Sequence, residues 1–302
     1  MARLFNSYII VDWSASSKPA TGKDSIWIGA YVPDARLRLT FRASNPETRA
    51  KALEQLKDLI DRLTHRGDRI LLGFDFPLGF PKGASAALNL KGDTPRQAMA
   101  DFLSKELKDK PDNSNNRFAL AARMNRIISE GPFPFWGCPK RDALTTLSIK
   151  KAREHGPEDI PEYRLSEKAA IKSKKGKPQP VWKIAYAGAV GGQSMTGIPV
   201  VEKLRQDFPS MKLWPFDLPL APLSDDDLEN VSVVACEVYP SMLPADVKTT
   251  EYRDESQVRV MAEHFAKLDE SGDLARLFQA SADLTEDDKS AISGEEGWIL
   301  GV

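Results

Sequence analysis

Cysteine is scarce in this chain of 302 residues, which has only Cys138 and Cys236. Neither lies in a CxxC or Cys/His spacing, so the sequence disfavours a disulfide framework and a structural zinc site and is typical of a reducing compartment. Histidine is also rare, and His65, His155 and His264 have no partner at a useful spacing. A histidine-based nucleophilic triad is therefore not expected.

Long apolar runs and an excess of charge of one sign are missing too. No window approaches the roughly 20 apolar residues of a membrane-spanning helix, and the N-terminus lacks an apolar stretch typical of a signal peptide. The formal net charge is −1, which argues against a nucleic-acid coat protein or a membrane-surface binder. With 41% hydrophobic and 28% charged residues, we expect a soluble cytoplasmic protein without a membrane partner. The sequence carries no signature of an oligomeric state.

What is present is an alternation of strand and helix signals. Residues 8–13, 24–32 and 36–43 predict strands, and the short "PDA" between the last two predicts a hairpin. Leucines at helical spacing follow in "NPETRAKALEQLKDLIDRLTHRGD", and "RILLGFDFPLGFPKG" predicts another strand. "NVSVVACEVYPSM" predicts the last one. This alternation predicts an α/β fold with a mixed, five-stranded sheet and flanking helices.

The middle of the chain, at about residues 91–180, has a different pattern. It contains two predicted helices, "TPRQAMADFLSKEL" and "NRFALAARMNRIIS", and it closes with the lysine-rich loop "AIKSKKGKPQP". Beyond it, a helix is predicted from Ile198 to Phe208, and the last helix covers "DDKSAISGEEGWILG". We predict one domain over residues 1–302, with a core at about 1–90 and 181–302 and a helical insertion at about 91–180.

Three of the predicted strands end in a carboxylate, at Asp12, Asp75 and Glu237. Ligands of open α/β sheets bind beyond the carboxyl ends of the strands, so parallel neighbours would bring these acids together. Clustered carboxylates raise one another's pKa, and a cation normally stabilises them. A site made of oxygen ligands alone suits Mg²⁺ or Mn²⁺, which can activate water and brace a phosphoryl oxygen. Each acid alone is equally compatible with the ordinary polarity of a strand end.

A fourth acid is predicted near the C-terminus, in "SAISGEEGWILG". Glu296 has Ile292, Ile299 and Leu300 at helical distances, so its side chain should point inward with the apolar stripe. Glu295 is nearly as good a candidate. We predict Glu296 as the fourth catalytic and metal-binding carboxylate.

Substrate contacts are predicted in four segments. "GAVGGQSMTG" is a glycine-rich loop before a helix, which suits an anion, although tight packing against the sheet would also explain it. "FPFWGCPKRDA" combines aromatic and basic residues that could stack a base and hold its phosphate, or simply anchor a long loop. "KSKKGKPQPVWK" could grip a phosphate backbone or remain solvated, and "DWSASS" offers small hydroxylated residues. The predicted contacts are Ser14, Lys140, Arg141, Lys183 and Gln193.

Four stretches, "VDWSAS", "FDFPLGFP", "CEVYPSM" and the terminal "EEGWILG", resemble the ribonuclease H-like superfamily. More narrowly, they resemble the domain-of-unknown-function 429 family of predicted ribonuclease H-like nucleases. The resemblance covers both ends of the chain and the insertion only loosely. It implies three antiparallel strands, a helix and two further parallel strands. It also implies metal-ligand roles for Asp12, Asp75, Glu237 and Glu296, although the family pattern has an Asp where this chain has a Glu pair.

The leading functional hypothesis is a Mg²⁺- or Mn²⁺-dependent nuclease or phosphodiesterase that acts on a nucleic acid or another phosphate ester. The alternative is a phosphotransferase or ATPase of the acetate and sugar kinase type. Those enzymes place an acid and a small-residue loop after the first strand of the same core, but they usually have two copies of that core. A non-catalytic binding module is the third hypothesis. Magnesium-dependent nucleotide binding would separate the second from the first.

Overall fold

A computed structural model describes residues 3–244, 246–248 and 251–302. In that part of the chain a single sheet has six strands: β1 Ser7–Asp12, β2 Trp27–Pro33, β3 Leu39–Ser44, β4 Ile70–Phe74, β5 Met211–Leu213 and β6 Val233–Glu237. The strand order is β3-β2-β1-β4-β6-β5. The pairs β1–β2 and β2–β3 are antiparallel, whereas β1–β4, β4–β6 and β6–β5 are parallel. The predicted α/β fold with a mixed sheet is therefore confirmed.

The predicted number of five strands is wrong, because β5 adds a sixth at the edge of the sheet. β5 has only three residues, Met211–Leu213. A segment of that length is too short to show the alternation by which a strand is identified in a sequence.

Eight α-helices lie in the described residues: α1 Arg49–His65, α2 Ala84–Ala87, α3 Pro95–Glu106, α4 Arg117–Ser129, α5 Leu165–Lys172, α6 Gly191–Asp207, α7 Arg253–Ser271 and α8 Glu286–Ala291. The helices predicted from the leucine spacing and in the insertion correspond to α1, α3 and α4. No helix of the described residues is both long enough and apolar enough to cross a membrane.

Helix α6 begins at Gly191 rather than at the predicted Ile198, so most of the glycine-rich segment is helical. The glycines allow close packing at this point. A Cβ atom on Gly191 would lie 1.9 Å from the carbonyl oxygen of Val181, and one on Gly192 would lie 2.6 Å from that of Ile184. Dense contact with the backbone of residues 181–184 therefore requires these two glycines.

The C-terminal helix also ends earlier than predicted. Helix α8 continues as a π-helical turn over Ile292–Glu296, and Gly297 then takes a positive φ of 75°. Beyond it, Ile299 forms a parallel bridge with Glu237, so the end of the chain runs beside β6 instead of remaining helical.

Both faces of the sheet are covered by apolar layers. Alternate residues of β1 point to opposite faces: Ile9 and Val11 pack with α1, α3, α4 and α6, whereas Ile10 packs with α7 and the C-terminal segment. Leu103 and Leu120 of the insertion belong to the first of these layers, so the insertion packs on the core.

Candidate functional site

Asp12 and Asp75 meet at the carboxyl ends of two neighbouring parallel strands. Val11 of β1 pairs with Phe74 of β4, so the next residue of each strand reaches the same edge of the sheet. The two carboxyl groups are close enough for each to alter the pKa of the other. Asp75 Oδ1 also accepts a hydrogen bond from the Trp13 N–H at 2.7 Å, and Oδ2 accepts one from Gln193 Nε2 at 3.3 Å. The structure thus brings the first two predicted acids together.

The electrostatics of this pair favour protonation or a bound cation. Both residues are part-buried and line a cavity. Burial, reinforced by the charge of Asp75, raises the pKa of Asp12 well above its ordinary value. Burial also raises the pKa of Asp75 to about 7, although the Trp13 N–H opposes this. No basic side chain among the described residues compensates the pair.

The cavity above the pair has a volume of about 1020 Å³. Its wall includes Glu237 and two of the predicted substrate contacts, Ser14 and Gln193. A concave site of this size, with a few polar groups converging on it, is typical of small-molecule binding. In the described ranges, no group of three or more His, Cys, Asp or Glu side chains is arranged to hold a metal ion. Asp12 and Asp75 therefore form a pair of carboxylates and are not part of a complete protein cage.

Glu237 ends the third strand, next to Asp75, but it is already paired. It is 4% exposed, and Arg164 donates to both of its oxygens, from Nη1 to Oε2 at 2.8 Å and from Nη2 to Oε1 at 2.6 Å. Arg164, itself fully buried, also donates from Nε to Glu167 Oε1 at 2.8 Å. Burial raises the pKa of Glu237, while Arg164 opposes the rise. The predicted metal ligand thus serves in an internal ion pair that holds the start of α5 against β6.

Glu296 and Glu295 bind backbone amides instead of lining the cavity. Glu296 accepts from the N–H of Lys82 at 2.8 Å and from that of Leu165 at 2.7 Å. Glu295 accepts from the N–H of Gly83 at 2.8 Å and of Ser85 at 2.9 Å. The prediction that Glu296 points inward agrees with its burial, and the alternative candidate Glu295 is buried as well. The contacts of these two residues lie at the starts of α2 and α5, where they cap backbone amides. These contacts do not support the predicted role of Glu296 as a fourth ligand.

Three predicted substrate contacts lie outside the cavity wall as the described residues define it. Lys140 and Arg141 are exposed on a 3₁₀ turn, where Arg141 contacts its neighbour Asp142. Lys183 donates to the carbonyl oxygen of Ala187 at 2.7 Å and stabilises the loop before α6. These three contacts depend on loop geometry that local sequence does not reveal.

Several charged residues of the cavity wall were not predicted from the sequence, and Asp254 and Arg117 are two of them. Asp254 lies in the first turn of α7, and its charge contributes to the raised pKa of Asp12 after burial and Asp75. Arg117 begins α4 in the insertion and is 7% exposed. An acid in the first turn of a helix is common for electrostatic reasons, so Asp254 carried no distinguishing signal.

No protein-family model, curated protein or solved structure matches this chain. The functional argument therefore depends on the geometry of the cavity.

Proposed function

We propose that this protein is a divalent-metal-dependent phosphodiesterase or nuclease in which Asp12 and Asp75 are the catalytic carboxylates. One observation carries the proposal: two neighbouring carboxyl groups, without a basic partner among the described residues, line a cavity of about 1020 Å³ at the ends of parallel strands. The antiparallel β3-β2-β1 and the parallel β4 and β6 support the ribonuclease H-like fold that the sequence resembles, with β5 as an added edge strand.

The donor chemistry of the pair fits Mg²⁺ or Mn²⁺. Mg²⁺ usually binds one or two protein carboxylates and takes its remaining ligands from water and substrate phosphates, so two acids are sufficient. When bound, such an ion would stabilise charge on a phosphoryl oxygen and lower the pKa of water. Glu237 and Glu296 do not fit this role, because Arg164 compensates the charge of Glu237, and Glu296 binds two backbone amides outside the cavity wall as the described residues define it.

Residues around the pair fix its geometry. Gln193 Nε2 donates to Asp75 and also to the carbonyl oxygen of Trp13, so one amide group links the two strand ends. The Trp13 N–H holds the other oxygen of Asp75. These contacts orient the carboxylate toward the cavity, as positioning of a reactive group requires.

The cavity wall also includes two tyrosines with exposed rings. Tyr186 is 56% exposed and Tyr252 is 51% exposed. The Tyr186 hydroxyl donates to the carbonyl oxygen of Cys138 at 2.8 Å, which holds the ring in place. Aromatic rings of this kind can stack a base, which supports a substrate with a nucleotide unit.

The phosphotransferase alternative draws support from the first turn of α6, which lies beside Asp75 and resembles a phosphate-binding turn. Against it, the described residues form one sheet, whereas the acetate and sugar kinases usually contain two copies of the core. A measurement of ATP binding in the presence of Mg²⁺ would distinguish the two enzyme classes.

The test measures Mn²⁺ binding by electron paramagnetic resonance and hydrolysis of an activated phosphodiester, single-stranded DNA and RNA. We expect wild type to bind Mn²⁺ and cleave at least one of these, and Asp12→Asn and Asp75→Asn to lose both properties while remaining folded. Asp287→Asn is a matched control, because Asp287 is exposed and pairs with Lys82 outside the cavity. A wild type that binds no Mn²⁺, or an Asp12→Asn variant that keeps the wild-type rate, would refute the proposal.

A further inference from the structure

Another part of the same cavity carries a buried guanidinium group, that of Arg117, which forms no ion pair among the described residues. Arg117 Nη1 donates to Ser17 Oγ and Asn115 Oδ1, both at 2.9 Å. Its Nε is buried and has no hydrogen-bond partner among the described residues. Burying a guanidinium group without an ion-pair partner costs free energy, which a bound anion would offset.

Comparison with a neighbouring arginine shows what Arg117 lacks. Arg49 is also buried, but it forms a bidentate pair with Asp109, with both N–O distances at 2.6 Å. No carboxylate among the described residues forms such a pair with Arg117. Burial, and then the nearby charge of Arg49, lowers the pKa of Arg117 to about 10. Of two adjacent buried arginines, one is compensated inside the protein and the other faces the cavity.

The N-terminus of α6 lies beside the same guanidinium group. A Cβ atom on Gly192 would lie 3.4 Å from Arg117 Nε, which places the arginine against the first turn. The 17-residue helix has no side-chain hydrogen bond from its N-cap residue, Val190, and residues 188–190 and Gln193 line the cavity. The Gly191 N–H donates to the carbonyl oxygen of Lys183 at 2.9 Å, whereas no backbone acceptor among the described residues takes the N–H of Gly192 or Gln193. Free amides of this kind and the helix dipole attract anions. The Arg117 guanidinium group and the N-terminus of α6 therefore both create positive potential in the same part of the cavity.

We propose that Arg117 and the first turn of α6 bind a phosphate group of the substrate beside the Asp12–Asp75 pair. Gln193 belongs to that turn and lies 3.3 Å from Asp75, so the phosphate would be adjacent to the carboxylates. The proposal rests on the proposed function for the reaction and names its substrate class, a phosphate ester. Anion binding itself requires no metal, because the positive charges belong to the chain.

The test uses inorganic phosphate and a dinucleotide as probes, in the presence of a chelator, so that a failure of the metal proposal does not affect it. Affinity is measured by calorimetry or from the rise in Tm, since binding to the folded state alone raises stability. We expect Arg117→Gln to weaken phosphate binding about tenfold or more, as the loss of a charge-assisted contact predicts. Asp12→Asn should bind phosphate at least as well as wild type, because a repelling charge is removed.

Arg123→Gln is the matched control, because Arg123 lies on the same helix, pairs with the exposed side of Glu106 and does not line the cavity. Its affinity should equal that of wild type. Without phosphate, Arg117→Gln should be as stable as wild type or more stable, whereas an arginine with a purely structural role would lose stability when replaced. Arg117→Lys keeps the charge and should restore part of the affinity.

Three outcomes would overturn the proposal: no phosphate binding by wild type, equal affinity in Arg117→Gln, or unfolding of Arg117→Gln together with loss of stability in Arg117→Lys. Arg117-dependent binding of either probe supports it. Binding of the dinucleotide identifies a phosphodiester, and binding of phosphate alone identifies a terminal phosphate, as the group that the site recognises.

Discussion

Two groups of acids in this protein look alike in the sequence and differ in the structure. Asp12 and Asp75 line a cavity, and the donors to Asp75 are two uncharged groups, the Trp13 N–H and the Gln193 amide. Glu237 also ends a strand and Glu296 lies in an apolar stripe, yet Glu237 forms an ion pair with Arg164, and Glu296 binds two backbone amides outside the cavity wall as the described residues define it. The comparison shows that an acid at a strand end is available for chemistry only when the fold leaves it on a cavity wall without a basic partner.

The physical reason lies in how each charge is stabilised. An ion pair compensates the charge of a buried carboxylate such as that of Glu237 inside the protein, so this group has little to gain from an external cation. A carboxylate pair without such partners is destabilised as its protons leave, and a divalent ion relieves this destabilisation. The two groups should therefore respond in opposite ways to substitution, and the following predictions test this from the largest effect to the smallest.

The largest effect is expected for Arg164→Gln. This substitution leaves Glu237 and Glu167 buried without their shared guanidinium group, and breaking a buried ion pair on one side costs about 3–5 kcal/mol. Urea unfolding should show this loss of free energy of unfolding. Arg141→Gln, at an exposed position, should change it little. If Arg164→Gln loses no more free energy of unfolding than the control, Glu237 and Glu167 do not need a basic partner inside the protein.

Mg²⁺ should stabilise the wild type through the Asp12–Asp75 pair. At a concentration one hundred times its dissociation constant, a ligand of the folded state adds about 2.7 kcal/mol to the free energy of unfolding. We expect a Mg²⁺-dependent rise in Tm that Asp12→Asn abolishes and Glu296→Gln retains. An identical rise in all three proteins would place the metal elsewhere, and a loss in Glu296→Gln would return that residue to the site.

The pH dependence of stability should also come from the cavity pair. The pKa of Asp75 is about 7 in the folded state, against an ordinary value of 3.8 in the unfolded chain. The protonated carboxyl group therefore stabilises the folded state fully below pH 3.8, and this stabilisation is lost as the pH rises toward 7. In a chelator at pH 8, Asp75→Asn should therefore be more stable than wild type by about 1–2 kcal/mol, a value reduced for the water in the cavity. Unfolding measured from pH 4 to pH 8 checks this. A wild type whose stability rises over that range relative to the variant would contradict the prediction.

The smallest effect is expected for Glu296→Gln. In the wild type, Glu296 accepts hydrogen bonds from the N–H groups of Lys82 and Leu165. The amide oxygen of glutamine can accept from one of them, and the other N–H loses its charged acceptor. A loss of about 1 kcal/mol in free energy of unfolding is typical of one weakened cap. Phosphodiester hydrolysis should continue at the wild-type rate. A large loss of hydrolysis without unfolding would show that the acid acts in the reaction.

The elements with strong periodicity were predictable from the sequence, and those fixed by contact were not. The long apolar pattern of α1 and the strand ending at Asp75 are visible locally, because a helix or strand repeats its burial every few residues. The three-residue β5 and the early start of α6 at Gly191 depend on what lies beside them. For α6, the neighbouring backbone of residues 181–184 makes glycine necessary, whereas glycine in a sequence is usually read as a loop.

For the candidate site, the sequence by itself determined that apolar strands end at Asp12, Asp75 and Glu237, and that an acid near the C-terminus points inward. Only the tertiary structure decided which of these acids has a basic partner, because Arg164 comes from a segment far away along the chain. It also brought Arg117 of the insertion to the first turn of α6. The local sequence pattern determines which side chains are buried, whereas the packing of distant segments determines which charges lie beside a buried acid. Those neighbouring charges set its pKa and its capacity to bind a cation.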